Sequence, residues 1–418
     1  MFSSPHKEED TAVQDKKLLQ LALGLSAPWI VKDVKLHLDD KKLDIYLDFE
    51  RGSRFDCPQC LGNSQPVYDT KDRTWKHLNF FEFETLLHAR VPRIQCPKCG
   101  VKTVSVPWAR PGSGFTQLFE ALVLCLTQQM PVAPASKELG VHPDSIWRIL
   151  MHYVEEARSK MDVSSVKAVG IDECSKQKGH QYITTFCDLE TSRVIYVAEG
   201  RHGEVLSEFA SDFTAHDGDP KQVDQACCDM WPAYISGVQE NLPNAKITFD
   251  RYHVMSMMNR AVDLVRRAEA KEQPELLKRS RYLWLKNPGN LSTSQAERIH
   301  DLKTLDLKTA RAYHIKLALQ RLWDFRYPKA AARYLKKWYY WATHSRLEPI
   351  VEFAKTVKRH WDSILNYTES RITNGIVEGI NSKIKTALKR AYGFKNFQYY
   401  RTIIYLVAGK LDLPTRSC

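Results

Sequence analysis

The sequence predicts a multidomain α+β protein, and three observations support that fold class. The chain has 418 residues, and because domains commonly contain about 100–200 residues, roughly two to four domains are expected. Residues 34–94 largely alternate between apolar and polar side chains, as short strands do. Residues 166–250 have the pattern of strands separated by helices, whereas residues 252–365 have a mostly helical pattern.

The composition is that of a globular chain without a membrane span. Apolar residues make up 43% and charged residues 26%, which excludes a disordered or fibrous protein. The longest apolar runs, Ala121–Leu126 and Ile403–Ala408, are far shorter than the roughly 18 residues that a span needs. Residues 1–17 carry three Lys against four acids, the wrong sign for the start of a secretory signal. We therefore expect a cytoplasmic protein.

Charge is distributed unevenly along the chain. The formal net charge is +12, and residues 251–365 alone hold 24 Lys and Arg against 11 Asp and Glu. Residues 156–250 hold 9 basic residues against 16 acids. A basic segment attracts phosphate, and an acidic neighbour gathers carboxylates as a metal site does. An anionic partner is therefore expected.

Four of the ten cysteines form two identical frames, Cys57-Pro-Gln-Cys60 and Cys96-Pro-Lys-Cys99. Each frame makes a turn that points two thiolates at one ion, and two such turns complete a tetrahedral zinc site. The alternative is redox chemistry, in which a single frame precedes a helix and reacts through a lowered thiol pKa. Two matched frames favour one structural zinc ion held by all four cysteines.

A helix-turn-helix is expected after a linker rich in Pro and Gly. Thr116 is predicted to cap a first helix that ends at Gln129, a short helix is predicted over residues 134–139, and Asp144 is predicted to cap the helix that follows. The last of these helices would offer four residues to a DNA major groove: His142, Ser145, Trp147 and Arg148. The alternative is an ordinary helical hairpin, and the adjoining zinc module and the basic charge favour DNA.

Two aspartates follow predicted strands of the acidic region. Asp172 follows the strand Ala168–Ile171, and Asp229 follows the strand Val223–Cys228. In a βββαβα order such strand ends can lie side by side, so that two acids placed there converge. Converging carboxylates repel each other unless a hard cation such as Mg²⁺ lies between them. The alternative for each aspartate is a turn or a helix cap.

A third acid, Glu378, lies on a helix predicted over residues 373–390. An apolar stripe on this helix is formed by Ile372, Ile376, Ile380, Ile384 and Leu388. The face with Glu378 also carries Asn374, Asn381 and Lys385. A solvated face is the alternative interpretation. Gly375 and Gly379 each cost the helix roughly 1 kcal/mol against Ala, which suggests that a ligand approaches the backbone closely.

Taken together, the motifs resemble the ISL-three family of bacterial insertion-sequence transposases. The likeness covers nearly the whole chain, and its motifs occur in the family's order. They are Cys57–Cys60, Val91–Gly100, Val106–Arg110, Phe115-Thr116, Val169–Glu173, Cys228–Tyr234, Asp250–Val254, Asn374–Asn381, Lys385 and Tyr392–Phe394.

This resemblance implies a zinc finger, a helix-turn-helix and a ribonuclease-H-like DDE core with an all-helical insertion. It implies Asp172, Asp229 and Glu378 as the catalytic triad. Two Mg²⁺ or Mn²⁺ ions per active site would activate water to cleave a phosphodiester, and the freed 3′-hydroxyl would attack target DNA. The implied partner is double-stranded DNA, both terminal inverted repeats and target, bound by a homo-oligomer at the bacterial nucleoid, with no membrane involved.

The implied domains follow the composition shifts along the chain. They are a mobile tail (1–16), a zinc-binding domain (17–106), the helix-turn-helix (115–160), the first part of the core (164–250), the basic helical insertion (251–365) and the C-terminal helices of the core (366–418).

Some residues keep two interpretations. Asp250 and His253 resemble an Asp-x-x-His element of DDE transposases, but Asp250 is equally suited to cap the next helix. Asp250 and His253 are therefore supporting residues, as are Asn374, Asn381 and Lys385. Five of the ten tryptophans lie in the insertion; most should be core, and one or two stacking on unpaired bases is the alternative.

Two rival functions remain. One is a DNA-binding regulator derived from a transposase, with an inactive core, and the presence of all three acids argues against it. The other is a ribonuclease-H-like nuclease for branched DNA, which has no need of the N-terminal recognition modules. Metal-dependent cleavage of element ends separates the first rival from a transposase, and strand joining separates the second.

Overall fold

A computed structural model describes residues 16–62, 64–177, 181–372, 375–391 and 393–415, apart from the side chains of 175–177 and 181. The chain divides into two compact units, residues 1–150 with 413–418, and residues 151–412. The predicted tail lies outside the described residues except for Lys16, and Asn374 lies outside them too. Within the described part of the chain, no helix is long and apolar enough to cross a membrane.

The first unit begins with a six-stranded sheet around its own hydrophobic core. Its strands are β1 (Trp29–His37), β2 (Lys42–Phe49), β3 (Arg54–Phe55), β4 (Gln65–Lys76), β5 (Glu84–Cys96) and β6 (Gly100–Thr103). The strand order is β1-β2-β5-β4-β3, and β6 pairs with β5. Three tryptophan rings meet edge to face in the core, with Trp108 4.9 Å from Trp29 and 5.5 Å from Trp75. The predicted alternation therefore does form strands.

Three helices follow: α1 (Gln117–Gln129), α2 (Val132–Leu139) and α3 (Pro143–Ser159). The predicted cap of α1 is confirmed, because the Thr116 side chain accepts a hydrogen bond from the Phe119 N–H. Gly140 ends α2 in the left-handed conformation, at φ 60°. The predicted cap of α3 is wrong. Pro143 already occupies the first turn of α3, where it needs no N–H, so Asp144 lies inside the helix.

The second unit contains a five-stranded mixed sheet. Its strands are β7 (Ala168–Gln177), β8 (Gln181–Asp188), β9 (Arg193–Glu199), β10 (Gln225–Cys228) and β11 (Lys246–Phe249), and two helices intervene, α4 (Glu204–Ala215) and α5 (Pro232–Asn241). The strand order is β11-β10-β7-β8-β9. The first three strands in sequence are antiparallel, whereas β10 and β11 run parallel to β7. The predicted sequence of strands and helices is confirmed.

One strand end differs from the prediction. Asp172 was expected to follow β7, but β7 continues to Gln177 because β8 remains paired with it, with Asp172 opposite Thr185. The parallel partner β10 pairs only as far as Gly170. Asp172 therefore lies just beyond the point where β10 stops pairing with β7, and Asp229, which follows β10, lies beside that point.

The segment between β11 and the last helices is helical, as predicted. Its helices are α6 (Arg251–Glu272), α7 (Pro274–Leu277), α8 (Arg281–Leu285), α9 (Thr293–Thr304), α10 (Lys308–Gln320), α11 (Pro328–Thr343), α12 (Glu348–Arg359) and α13 (Trp361–Ser370). Trp284, Trp323 and Trp338 are buried, so these three are core residues, whereas Trp341 is exposed. Lys316 is fully buried, and its ammonium donates to the carbonyls of Trp284 and Leu285 at the end of α8.

The last two helices are α14 (Gly375–Arg390) and α15 (Phe397–Ala408). The predicted apolar stripe of α14 is partly wrong, because Ile376 is 36% exposed. The buried face is instead Val377, Ile380, Asn381 and Ile384. This rotation follows from packing on β7, where Val377 lies over Gly170. A Cβ atom on Gly170 would lie only 2.4 Å from Val377 Cγ2.

We expect Gly170→Ala to destabilise the second unit by about 1–3 kcal/mol, as overpacked cores do. The added methyl would also lie 2.7 Å from Leu189 Cδ2, so α14 or β8 must shift. Gly379→Ala is the matched control, because a Cβ there meets nothing within 4 Å and helix propensity improves by up to about 1 kcal/mol. Thermal and denaturant unfolding measure both variants. Equal stability of the two variants would contradict the close packing of α14 on β7.

Candidate active site and zinc cluster

A cluster of ionisable side chains forms where β7, β10 and β11 meet α6. Asp172 comes from β7, Asp229 directly follows β10, and His253 lies in the first turn of α6. One ligand atom from each of these three residues lies within 4.8 Å of the others. Asp250, directly after β11, joins them, because its Oδ2 is 3.9 Å from His253 Nε2. The sheet order therefore brings together acids that are far apart in the sequence.

Asp172 and Asp229 have different partners. Asp172 Oδ1 accepts a hydrogen bond from the Glu173 N–H at 2.7 Å, and Asp172 Oδ2 accepts one from Asn381 Nδ2 at 2.6 Å. Asp229 Oδ1 lies 2.9 Å from His253 Nε2. Asn381 was expected on the face of α14 that carries Glu378, but it is buried and orients the Asp172 carboxylate.

The electrostatics of the cluster follow from burial and crowding. Burial raises the pKa of Asp172 to about 6, and the charge of Asp229 adds to that rise. Burial also raises the pKa of Asp250, with further contributions from Glu378 and Asp229. Burial lowers the pKa of His253, but the three aspartates outweigh it and leave that pKa above its usual value. Two effects, burial and repulsion by neighbouring carboxylates, therefore oppose ionisation of Asp172 and Asp250.

Three oxygen atoms at the cluster fit a divalent cation. Among the described residues, Asp250 Oδ2 and Asn381 Oδ1 are buried without a hydrogen-bond partner, and buried Asp229 Oδ1 has only His253 Nε2 beside it, at 2.9 Å. An unsatisfied buried acceptor costs about 1–3 kcal/mol. Carboxylate and amide oxygens are the ligands that Mg²⁺ and similar hard cations accept. The residues present therefore suit such an ion chemically.

Glu378 lies apart from the tightest part of the cluster. It is exposed in the first turn of α14 and is not among the residues whose ligand atoms lie within 4.8 Å of one another. It does line a cleft together with Asp250. Lys385 is exposed further along α14. The structure thus brings Asp172 and Asp229 together with Asp250, His253 and Asn381, and leaves Glu378 facing the cleft.

The second interpretation of Asp250, as a helix cap, is tested by its hydrogen bonds. Asp250 occupies the cap position of α6, but its side chain makes no capping hydrogen bond. It is 4% exposed, its Oδ2 lies 3.9 Å from His253 Nε2, and the Tyr252 N–H in the first turn of α6 contributes a lowering of its carboxyl pKa. Asp250 therefore lies beside both His253 and the start of α6, so both interpretations remain.

A network next to the cluster was missed by sequence reasoning. Glu173 follows Asp172 on β7 and therefore points to the other face of the sheet. It accepts a hydrogen bond from the Tyr234 hydroxyl at 3.1 Å and lies 3.6 Å from the Arg201 guanidinium. Arg201 lies over the rings of Tyr182 and Trp231. The sequence signal that could have indicated this network was Tyr234, which is the last residue of the motif that begins with Cys228.

The four cysteines of the first unit converge as predicted. One Sγ atom from each of Cys57, Cys60, Cys96 and Cys99 lies within 4.8 Å of the others. The first pair follows β3, and the second pair lies at the end of β5 and in the turn to β6. Since β4 pairs with both β3 and β5, it joins frames that are 35 residues apart. The N–H groups of Cys60 and Gln59 lower the pKa of Cys57 to about 7, whereas the neighbouring sulfurs raise the pKa of Cys99 to about 12.

The helix α3 presents only part of the predicted DNA-contacting set. His142, just before α3, and Arg148 are exposed, and Arg148 donates to the Ser145 hydroxyl at 3.1 Å. Trp147 was predicted to face a groove, but it is 7% exposed. The correction follows from helix geometry, since Trp147 lies next to Ile146 and one turn from Leu150, both of which are buried.

Comparison with known families identifies the chain. A transposase family model, that of the ISL3 DDE domain, matches residues 169–404, more than half of the sequence. The chain belongs to the ISL3 transposase family. A model of the helix-turn-helix domain of transposase family ISL3 matches residues 104–154. A zinc-finger model of transposase IS204/IS1001/IS1096/IS1165 matches residues 53–104. The ISL-three resemblance and the multidomain α+β class are therefore confirmed.

Two curated relatives of this ISL3 transposase cover most of its length. The transposase for insertion sequence element IS1001 of Bordetella parapertussis is 28% identical over 359 residues, covering 82% of this chain and 86% of the relative. The transposase for insertion sequence element IS1557 of Mycobacterium tuberculosis is 24% identical over 420 residues, covering 92% and 94%.

We expect purified protein to contain one zinc ion per chain and Cys96→Ser to lose it, together with the ordered first unit. The physical reason is that a thiolate removed from a closed site takes folding free energy with it. Metal analysis and unfolding of the full chain measure both effects. Cys187→Ala is the control, because Cys187 is buried in the second unit, outside the cluster, and should leave zinc content unchanged. Full zinc in the Cys96→Ser protein would contradict the assignment.

Proposed function

We propose that this ISL3 transposase binds the terminal inverted repeats of an insertion sequence and catalyses DNA cleavage and strand transfer at a DDE-type site. The observation that carries the proposal is the convergence of Asp172 and Asp229, with unsatisfied oxygens around them, on the second sheet. The order of that sheet, three antiparallel strands followed by two parallel ones, supports a ribonuclease-H-like core.

Asp172, Asp229 and Glu378 are proposed to hold Mg²⁺ or Mn²⁺, two ions per active site. When bound, these ions stabilise the attacking and leaving oxygens of a phosphodiester displacement. The Asn381 amide holds the Asp172 carboxylate in one orientation. Asp250 adds a further buried carboxylate beside His253. Glu378 is exposed and faces the cleft, so it is placed to meet a DNA strand that reaches the aspartates.

Cleavage and joining use different nucleophiles, water and a 3′-hydroxyl, at the same active site. Water first attacks the phosphodiester at the element end and displaces its 3′-hydroxyl, and this 3′-hydroxyl then attacks a target phosphodiester and displaces a 3′-hydroxyl of the target strand. The protein forms no covalent bond to DNA in this scheme, so its side chains orient oxygens and hold charge. His253 is suited to balancing charge, because a protonated imidazole beside Asp229 offsets part of the negative charge of the cluster.

DNA recognition is divided between two regions in this proposal. His142 and Arg148 at α3 suit contacts to base edges, which specify sequence. The helical insertion, with 24 basic residues against 11 acids over residues 251–365, suits contacts to phosphates, which supply affinity. Because an insertion sequence has two ends, a homo-oligomer that places one active site on each end is proposed.

We expect Asp172→Asn, Asp229→Asn and Glu378→Gln each to reduce cleavage of element ends to background while repeat binding remains. Each change keeps the shape of the side chain and removes a negative charge that a divalent ion needs. The measurement is cleavage of repeat-bearing DNA in Mg²⁺ or Mn²⁺, with binding measured in parallel.

Glu369→Gln is the matched control for Glu378. Glu369 is the acid closest to Glu378 in sequence, but its carboxylate is about half exposed and lies 3.6 Å from Lys246 Nζ. This variant should cut normally. An active Glu378→Gln protein with an inactive Glu369→Gln protein would show that the third ligand is misplaced. A wild-type protein that binds repeats but never cuts them would support a regulator without catalysis.

We expect Arg148→Ala to reduce the preference for repeat over random DNA by about 1–3 kcal/mol, since it removes a contact that reads bases. Lys337 is exposed on α11 of the insertion. Lys337→Ala should weaken binding to both DNAs equally and reduce the salt slope by about one. Binding isotherms over a range of salt concentrations measure both variants. Equal losses on repeat and random DNA for Arg148→Ala would contradict its role in sequence recognition.

A further inference from the structure

A cleft of about 790 Å³ lies between the acid cluster and the helical insertion. Asp250 and Glu378 form the wall on the side of the acid cluster. The opposite wall is the segment after α8, from Leu285 to Asn290, together with the end of α10. The cleft thus opens directly beside the carboxylates at which a scissile phosphate would lie.

The far wall of the cleft is held in place by internal hydrogen bonds. The buried Lys316 ammonium donates to the carbonyls of Trp284 and Leu285, where the wall begins. Gln320 Nε2, at the end of α10, donates to Asn287 Oδ1, in the segment after α8, at 2.6 Å. These contacts fix the segment after α8 relative to α10, so the cleft has a defined shape.

The lining of the cleft suits a single nucleotide. Arg251, Lys286 and Arg321 supply positive charge for a phosphate, and Pro288 and Leu317 supply apolar surface for a base. The volume falls in the range of about 300–1,000 Å³ typical of small-ligand pockets. A base-paired duplex is too wide for a pocket of this size, whereas one unpaired nucleotide fits.

Two polar groups of the lining lack partners. Trp323 is 8% exposed, and its Nε1 has no hydrogen-bond partner among the described residues. Asn259 Oδ1, on α6, is likewise buried without a partner in the described part of the chain. One is a donor and the other an acceptor, and both residues line the cleft. The edge of a nucleobase offers complementary donors and acceptors.

We propose that this cleft binds one unpaired nucleotide of the DNA end, rotated out of the duplex, while its phosphate lies beside the acid cluster. The inference rests on the proposed binding of element ends. Removing a nucleotide from a duplex costs a few kcal/mol, and the cost is least when the base is already mismatched. A mismatch at the nucleotide that enters the cleft therefore tightens binding, and a mismatch elsewhere in the repeat does not.

The test is equilibrium binding of the full-length, zinc-loaded protein to repeat-bearing duplexes without added Mg²⁺ or Mn²⁺, so that no cleavage occurs and the structural zinc is kept. The duplexes carry the end sequence that flanks the gene, either fully paired or with one mismatch placed in turn at each position from the tip inward. We expect one position near the tip to bind about tenfold more tightly than the paired duplex. A 2-aminopurine at that position should brighten on binding, because it leaves the base stack.

Variants of the cleft decide whether this preference arises there. Asn259→Ala and Arg321→Ala each alter the lining of the cleft. Each should bring the ratio of the affinities for the mismatched and the fully paired duplex close to one. Arg326→Ala is the matched control, because Arg326 is exposed five residues after Arg321 and does not line the cleft; it should keep the preference. Unfolding temperatures and binding to random DNA check that every variant is folded.

The proposal is overturned if the wild-type protein shows no position-dependent preference, or if both cleft variants keep it. These outcomes are separable from failure of the proposed catalysis, because no step of the binding test needs cleavage. A protein that cuts element ends but has no mismatch preference refutes the nucleotide cleft alone. A protein that has the preference but never cuts refutes the catalytic proposal alone.

Discussion

The second unit depends on holding half-buried carboxylates closer together than their charges favour. Asp172 and Asp229 offer ligand atoms within 4.8 Å of each other, and the pKa of Asp172 is raised to about 6 by burial and by its neighbour. Such an arrangement opposes folding unless rigid elements impose it. The imposing element is the sheet, in which β10 lies between β7 and β11. The acids on or after these strands have no freedom to separate.

Helix α14 completes the site from a distant part of the sequence. It returns to β7 after the helical insertion, and the absence of a side chain at Gly170 lets Val377 approach. The same packing turns Asn381 inward, where its amide holds the Asp172 carboxylate, and leaves Glu378 facing the cleft. One small residue on the strand therefore sets the orientation of a whole helix, and with it the separate roles of Asn381 and Glu378.

The insertion contributes rigid shape as well as positive charge. Its buried tryptophans form a helical core, and buried polar groups anchor the helix ends, as Lys316 does at the end of α8. Glu269 accepts hydrogen bonds from the N–H groups of Lys308 and Thr309 at the start of α10. These hydrogen bonds satisfy groups at helix ends that would otherwise lack partners, and so hold α8 and α10 against their neighbours.

The sequence by itself determined the elements and much of the chemistry of this ISL3 transposase. The cysteine frames, the order of strands and helices around the acidic region, and Asp229 after β10 follow from local periodicity and short spacings, which act over a few residues. Tertiary structure alone decided that β7 extends past Asp172, that Trp147 and Asn381 face inward, and that Asp250 lies beside His253 in the cluster. These outcomes depend on which surface each element packs against. An amphipathic pattern defines the buried face of a helix only to within a rotation of about one residue about the helix axis.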